Sequence, residues 1–357
     1  MKNVIVFGIG KNTEKVLEQK LIALSEVKYF FVTSNAIGQS EFFDRPLYFL
    51  IEVVEIYDDE NVVIISESFE QIFNNLVLLN FKPEKLFALI QNAQTNPVIS
   101  NLAYPTKPKY LNVGGGHYFY YDKWLNLEGA DSYLHPFQLS AKCTFPVTDE
   151  SIELVYSSHC LEHLDVFTLA QIMRETNRCL KTNGKLLLKL PDFDSVYQEW
   201  KGTLVGPSVL GIGWSFESLI DIWKKYGVES SIESRALFIL TGIDLNASPD
   251  LFEKNVSFET ADYVGPVILD QAELQQVRNC SGPGNTARLL VDIAKEKFPA
   301  ARLIHQNAWT KEEFIEYAES FGFKLLNDNK NIIIEKYHWI PQISKIDNLS
   351  NYFLFEC

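Results

Sequence analysis

The chain has 357 residues, of which 46% are apolar, and its formal net charge at pH 7 is −14. Its 46 acidic residues outnumber the 32 basic ones, so the chain would repel a phosphate backbone, which argues against nucleic acid as a partner. Five cysteines without a CxxC pair, no apolar run of membrane-spanning length and no evident targeting segment predict a cytoplasmic protein without disulfides, a zinc site or a membrane contact.

Strand and helix patterns alternate along residues 1–92, which predicts a small parallel α/β domain. Its first turn, Gly8 to Thr13, begins like a dinucleotide-binding loop, but Thr13 replaces the third glycine and no acid ends the second strand. We therefore interpret the loop as a tight turn, and a nicotinamide-dependent oxidoreductase is a disfavoured alternative. The segment resembles the Rossmann-like helper domain that precedes catalytic domains in many bacterial glycan and secondary-metabolite proteins.

The patterns divide the rest of the chain into five segments. A stretch rich in Asn, Gln, Ser and Pro breaks the first series, which is typical of a linker. A second α/β series follows, is interrupted by about a hundred less regular residues, and resumes. The predicted segments are a linker at 93–108, the first part of a core at 109–198, an insertion at 199–300, the last part of the core at 301–340 and a tail at 341–357. The last part of the core is predicted to hold a helix over Lys311 to Phe321 and two strands, over Phe323 to Leu326 and over Ile332 to Lys336.

The stretch from Tyr110 to Glu128 outlines an adenosine-binding site. It predicts a strand, the glycine loop Gly114, Gly115 and Gly116, a second strand and a terminal carboxylate. Glycines permit positive φ and a close approach to a ligand, and the Glu128 carboxylate can accept hydrogen bonds from both hydroxyls of a ribose. A phosphate-bearing NADP is less favoured because no basic residue directly follows Glu128.

The residues from Ser157 to Leu164 read Ser-Ser-His-Cys-Leu-Glu-His-Leu and follow a predicted strand. A helical pattern comes next, ends at Asn183-Gly184, and leads into a strand over Lys185 to Leu190. This part of the chain, with the Trp-Asn-Leu-Glu run that ends at Glu128, resembles class I S-adenosylmethionine-dependent methyltransferases. The resemblance is to a type 11-like group associated with glycans and natural products.

The resemblance implies a Rossmann-like sheet of seven strands, the last antiparallel, with a largely helical insertion and S-adenosylmethionine as cofactor. It assigns Gly114, Gly115 and Gly116 to the methionine portion of the cofactor, Glu128 to the ribose, and Ser157 and His159 to the surroundings of the methyl group. The family often places an acid near the adenine, but Ser140, Ala141 and Lys142 stand there in this chain. The residues that contact adenine are therefore not assigned.

His159 is the candidate base of the reaction, since histidine titrates near neutral pH. An equal alternative is that it caps or orients the loop. Asp192 is the second catalytic candidate and either binds a polar acceptor or forms a turn, as does Asp194. His163 is expected to be a structural partner of Glu162 or of the backbone, and His305 a substrate contact. We expect no metal site, because the histidine pairs lack the rest of a ligand set.

We expect methylation of an oxygen, less favourably a nitrogen, on a sugar or another small polar metabolite. The insertion is interpreted as a substrate cap, or alternatively as a surface that packs on the amino-terminal domain or a second subunit. The chain's oligomeric state is left open, with a homodimer as one alternative. A competing hypothesis is a catalytically silent methyltransferase-like module that binds a ligand within a biosynthetic assembly.

Overall fold

A computed structural model of the protein forms two compact units, and strand β10 (Ile152–Ser158) runs across the division between them. One unit comprises Met1–Leu139, Phe145–Leu154 and Trp339–Pro341, and the other comprises Ser140–Thr144, Val155–His338 and Gln342–Cys357. The structure describes residues 4–33, 40–66, 68–90, 98–101, 107–114, 121, 123–128, 137–210, 232–241, 269–297, 305–340, 343–344 and 350–357.

The amino-terminal sheet has seven strands, mostly parallel, with an antiparallel strand at each edge. Its strands are β1 (Val4–Phe7), β2 (Val27–Val32), β3 (Glu41–Phe42), β4 (Arg45–Phe49), β5 (Asn61–Ile64), β6 (Leu86–Ile90) and β7 (Val98–Ser100), in the order β3-β4-β2-β1-β5-β6-β7. The helices along this stretch are α1 (Lys11–Glu18), α2 (Leu50–Ile56) and α3 (Phe69–Leu78). β3 and β7 are the antiparallel edges, and β7 lies inside the predicted linker.

Strand β1 explains why this sheet forms. Its four apolar residues are all buried, with Val4 and Val6 in one hydrophobic cluster and Ile5 and Phe7 in another. A parallel strand covered on both faces needs such a continuous apolar run. The turn that follows packs tightly, because a Cβ at Gly8 (φ +103°) would lie 2.8 Å from the carbonyl oxygen of Ile65.

The second sheet has six strands. They are β8 (Tyr110–Val113), β9 (Trp124–Leu127), β10, β11 (Leu180–Pro191), β12 (Lys324–Asn327) and β13 (Ser350–Glu356), in the order β12-β13-β11-β10-β8-β9. The helices along the remaining chain are α4 (Val166–Cys179), α5 (Phe193–Trp200), α6 (Ile232–Thr241), α7 (Gln271–Asn279), α8 (Pro283–Lys297), α9 (Lys311–Glu319) and α10 (Lys330–Tyr337). Among the described residues, no helix is long and apolar enough to cross a membrane.

This sheet corrects the prediction of seven strands to six within the described part of the chain. Beyond β9, Glu128 and Gln138 form one isolated parallel bridge. The predicted antiparallel strand is confirmed, but it is β13 from the predicted tail. β13 pairs with β11 over seven residue pairs, from Lys185 opposite Glu356 to Pro191 opposite Ser350.

The strand predicted at 332–336 is wrong, because this segment is helix α10. The Asn329 side chain accepts hydrogen bonds from the backbone N–H groups of Asn331 and Ile332 and so caps the helix. Only Ile333 and Tyr337 are buried, at the i, i+4 spacing of one helix face. Packing of one helical face outweighs the strand propensity of the isoleucine run.

The helix end predicted at Asn183-Gly184 is also wrong. Helix α4 ends at Cys179 and strand β11 begins at Leu180. Asn183 has the left-handed φ of +62° inside the strand, and its N–H donates to the carbonyl oxygen of Cys357. This hydrogen bond with Cys357 keeps the Asn183-Gly184 dipeptide, which is typical of turns, within the sheet.

The described part of the predicted insertion is helical. Helices α6, α7 and α8 share one buried apolar cluster with α5, in which Phe193, Val196, Leu237 and Leu290 are among the buried side chains. Residues 211–231, 242–268 and 298–300 of the predicted insertion lie outside the described residues, and its interpretation as a substrate cap stays a prediction.

Candidate functional site

The predicted cofactor residues fall into two groups, one in each unit. In the first unit, β8 and β9 are parallel and Val113 lies opposite Leu127. Gly114 and Glu128, the next residue of each strand, therefore stand side by side beyond the carboxyl ends of the strands. Open α/β sheets bind ligands at this edge.

Backbone hydrogen bonds hold Gly114 and Glu128 at this edge of the sheet. Gly114 adopts φ +73°, a conformation that favours glycine, and its N–H donates to the carbonyl oxygen of Leu127 at 2.8 Å. The backbone carbonyl of Glu128 accepts from the N–H of Leu139 at 3.0 Å. This hydrogen bond fixes the backbone of Glu128, a half-buried residue. Gly115 and Gly116, like His117, lie outside the described residues.

A buried polar pair sets the register of these two strands, and the sequence analysis missed it. The Asn112 amide donates to the Asn126 side-chain oxygen at 3.0 Å, and both residues are buried. A one-residue slip would leave both amides unpaired, so the pair favours the register that brings Gly114 beside Glu128. An asparagine at the same position of two neighbouring strands was the available signal.

The expected adenine-side segment holds no acid in the structure either. Ser140, Ala141 and Lys142 are exposed, and the Cys143 N–H donates to the Ser140 carbonyl oxygen in a turn.

In the second unit, β10 ends in a backbone reversal at His159. Ser157 is buried, and His159 has a left-handed φ of +50°, which is uncommon for a residue with a Cβ. The His159 N–H donates to the carbonyl oxygen of Lys189 at 2.9 Å. The chain then enters a 3₁₀ turn at Leu161–His163.

Both ring nitrogens of His159 have a neighbour. Nε2 lies 2.9 Å from the Ser350 hydroxyl, and Nδ1 lies 3.5 Å from Oε1 of Glu162. The side chain is 22% exposed, while that of Glu162 is 1% exposed. A partly accessible imidazole thus sits between a hydroxyl and a buried carboxylate.

Glu162 lies among three histidines. Burial opposes its ionisation, but the contact with His159 and the proximity of His163 and His305 outweigh burial and hold the pKa of this carboxyl below its usual range. Oε1 lies 3.9 Å from Nε2 of His163. The expectation that His163 pairs with Glu162 therefore agrees with the structure.

Backbone hydrogen bonds hold His305 close to this turn. The carbonyl oxygen of Glu162 accepts from the N–H groups of Gln306 and Asn307, and the Asn307 amide donates to the Leu164 carbonyl oxygen at 2.6 Å. The rings of His163 and His305 are 4.6 Å apart between centroids. Burial, and after it the charge of His163, lower the pKa of His305 to about 3.

The two aspartates after β11 have structural roles. Asp192 caps α5 by accepting from the Ser195 N–H at 3.1 Å, and it also accepts from the Asn351 amide at 3.2 Å. Asp194 accepts from Gln198, and burial raises the pKa of its carboxyl. The turn-forming interpretation of Asp192 matches these contacts, and its binding of an acceptor stays a prediction.

Residues 123–188 match the family described as "Methyltransferase domain". The match runs from β9 through β10 and α4 into β11, and it includes Glu128, Ser157, His159 and Glu162. It confirms the predicted enzyme class, a methyltransferase, and supports S-adenosylmethionine as the cofactor. A search of curated proteins finds no match for the chain.

Solved structures that the fold resembles include three proteins with low sequence identity. An S-adenosylmethionine-dependent methyltransferase from Mesorhizobium loti is 11% identical, covers 71% of this chain and 94% of its own, and gives a TM-score of 0.32. PKMT2 from Rickettsia typhi, in complex with AdoHcy, is 11% identical over 71% of this chain and 50% of its own, with a TM-score of 0.30. A phosphoethanolamine N-methyltransferase 2 from Haemonchus contortus is 9% identical over 99% and 94%, with a TM-score of 0.23.

Proposed function

We propose that this protein transfers a methyl group from S-adenosylmethionine to an oxygen of a sugar or another small polar metabolite, with His159 as the base. The observation that supports this best is the placement of the His159 ring between the Glu162 carboxylate and the Ser350 hydroxyl. We expect the reaction to belong to glycan or natural-product biosynthesis. Its cytoplasmic location stays a prediction from the sequence.

The contacts of His159 suit a general base. An ionised Glu162 can only accept a hydrogen bond, so its contact favours the tautomer that carries the proton on Nδ1. Nε2 then has the free electron pair, and it can take a proton from an acceptor hydroxyl directly or through the Ser350 hydroxyl. The buried carboxylate would stabilise the imidazolium that forms, as a buried acid does beside other catalytic histidines.

The cofactor supplies an electrophilic methyl group, so the protein mainly has to align the acceptor and exclude water. We assign Glu128 to the ribose, the loop that begins at Gly114 to the methionine portion, and Ser157 and His159 to the surroundings of the methyl group. Gly115 and Gly116 share the loop assignment by their place in the sequence. The conformation of Gly114 and the carboxylate of Glu128 at the ends of β8 and β9 fit such a ligand.

Calorimetric titration tests the cofactor assignment. S-adenosylmethionine and S-adenosylhomocysteine are titrated into the wild type, Glu128→Ala and a matched control, Glu316→Ala, whose side chain is exposed on α9. Hydrogen bonds to a charged acceptor contribute about 1.5–3 kcal/mol, so Glu128→Ala should weaken binding about 10- to 100-fold. Failure of the wild type to bind either compound would refute the proposal, and unchanged affinity in Glu128→Ala would refute the ribose assignment.

Replacement of His159 tests the base. Release of S-adenosylhomocysteine is measured with a panel of small hydroxyl compounds, for His159→Ala and for His159→Asn, since asparagine tolerates left-handed backbone. Both variants should keep their cofactor affinity and lose about 100-fold or more in turnover. Undiminished turnover would remove His159 as the base. Cofactor binding by the wild type without turnover of any acceptor would support the silent-module hypothesis.

A further inference from the structure

Three side chains of the second unit form a cluster with the composition of a metal site. Glu162, His163 and His305 each offer one ligand atom, and these atoms all lie within 4.8 Å of one another. The sequence argument against a metal site was that the histidine pair lacked further ligands. His305, which is remote in the chain, adds the missing donor.

Four polar atoms of this cluster are buried and have no hydrogen-bond partner among the described residues. They are both carboxylate oxygens of Glu162, Nδ1 of His163 and Nδ1 of His305. The neighbouring Nδ1 of His159 is 3.5 Å from Glu162, longer than the usual hydrogen bond. Unpartnered buried polar groups are costly, and a buried carboxylate more so. A cation bound between these atoms would satisfy them.

The backbone holds the donors in place independently of any ligand. Glu162 and His163 lie in the 3₁₀ turn, and the Gln306 and Asn307 N–H groups bind the Glu162 carbonyl oxygen at 2.6 and 3.1 Å. His305 directly precedes these two residues. The buried ring of Phe193, 5.7 Å from that of His305 between centroids, forms an apolar wall. Ligands on an ordered scaffold with a dry wall are typical of metal centres.

We propose that Glu162, His163 and His305 bind one divalent transition-metal ion, Zn²⁺ in the first instance. Two imidazoles and one carboxylate are a known ligand set for zinc, and Zn²⁺ binds such donors more tightly than Mn²⁺ or Fe²⁺. Bond lengths of about 2.0–2.2 Å place ligand atoms about 3–3.5 Å apart. One ligand atom from each of the three residues lies within 4.8 Å of the others, so side-chain rotations have to bring them closer around an ion.

The open coordination position gives the site a chemical role. Three protein ligands leave the fourth position of a tetrahedral zinc ion to water or to an oxygen of a bound molecule. A hydroxyl on the ion would lose its proton more easily than in water. His159 can keep its contact with Glu162, because a carboxylate has two oxygens. The site is proposed from its donors alone and does not depend on methyl transfer.

Metal titration into the chelator-treated, full-length protein tests the site. Zn²⁺ binding is measured by calorimetry, and Co²⁺ binding by its visible absorption. The variants are His305→Ala, His163→Ala and Glu162→Gln, and the matched control is His338→Ala, whose exposed side chain ends α10. Because the His163 side chain is 27% exposed, its replacement is expected to leave the fold intact, and near-ultraviolet circular dichroism checks this.

The proposal predicts one ion per chain for the wild type and for His338→Ala. It also predicts an affinity at least about 100-fold weaker in each of the three ligand variants. Absence of Zn²⁺ and Co²⁺ binding by the wild type would overturn it. It would equally be overturned by unchanged affinity in a folded His163→Ala or His305→Ala, or by Co²⁺ absorption typical of cysteine ligation.

Discussion

Replacement of Phe355 by alanine tests whether the last residues form a core strand. Phe355 is fully buried in β13, and its ring lies 6.1–6.4 Å, between centroids, from those of Phe314, Phe323 and Phe353. A buried phenylalanine hides roughly 150–250 Å², which at about 25 cal/mol per Å² is worth about 4–6 kcal/mol. Alanine keeps part of this burial, so Phe355→Ala should lower the free energy of unfolding by about 3–5 kcal/mol.

Urea unfolding followed by tryptophan fluorescence measures this loss. Trp309 is a suitable reporter because its ring centroid lies 5.2 Å from that of Phe314 in the same unit. Ile332→Ala on α10 is the control, since Ile332 is 51% exposed and should lose less than about 1 kcal/mol. The reasoning is refuted if Phe355→Ala is no more destabilised than Ile332→Ala.

Three further predictions concern stability and reactivity. Asp165 caps α4 through the Phe167 and Thr168 N–H groups, so Asp165→Ala should lose about 1 kcal/mol of unfolding free energy in urea. Hydrogen bonding to the Thr168 hydroxyl lowers the pKa of Asp165 in the folded protein. The stabilisation by Asp165 is therefore complete above the ordinary aspartate pKa and is lost as the pH falls through the lower pKa of the folded state. A difference in unfolding free energy between wild type and variant that is constant down to about pH 2 would contradict this. Asn183 has φ +62°, so Asn183→Gly should stay within about 0.5 kcal/mol of wild type while Asn183→Val loses about 1–2 kcal/mol, and equal losses in urea would contradict the left-handed assignment. Burial raises the pKa of Cys179 to about 12, so peptide mapping after iodoacetamide treatment should find this thiol unmodified in the folded protein and alkylated only after unfolding.

Helix α4, which follows His163, shows what local sequence patterns predict well. Asp165 stands directly before the apolar spacing of α4, and the structure places the cap there and buries Leu169, Ile172 and Met173. Cap chemistry and periodicity are properties of neighbouring residues, so they can be read from the sequence. The strand prediction at 332–336 was wrong for the corresponding reason, because strand propensity was weighed without the Asn329 cap or the helical spacing of the buried residues.

Strand β13 shows what the sequence could have indicated. Tyr352 to Phe355 are four consecutive buried apolar residues, a run consistent with a strand covered on both faces. Its partners, however, are β11 and β12, and nothing local in the run specifies them. Pairing across such distances is decided by the packing of the whole sheet.

Local sequence identifies only some residues of the candidate site. His159, Glu162 and His163 stand within five positions of one another, so one motif identified them together. Ser350 and His305 reach the same residues from elements far along the chain. No spacing rule in the sequence connects such positions. Only the structure shows that His305 lies beside Glu162 and His163.

Glu162 takes part in both proposals, with a different role in each. As a partner of His159 it would orient a base, and as a neighbour of His163 and His305 it would bind an ion; the carboxylate is buried in either role. A salt bridge alone accounts poorly for this burial, because the contact with His159 is long, at 3.5 Å, and neither Glu162 oxygen has a hydrogen bond of ordinary geometry among the described residues, and burial of an unsatisfied charge is costly. A bound cation would offset that cost, whereas orientation of His159 requires only one oxygen. The unsatisfied oxygens therefore favour a role for Glu162 beyond its contact with the candidate base.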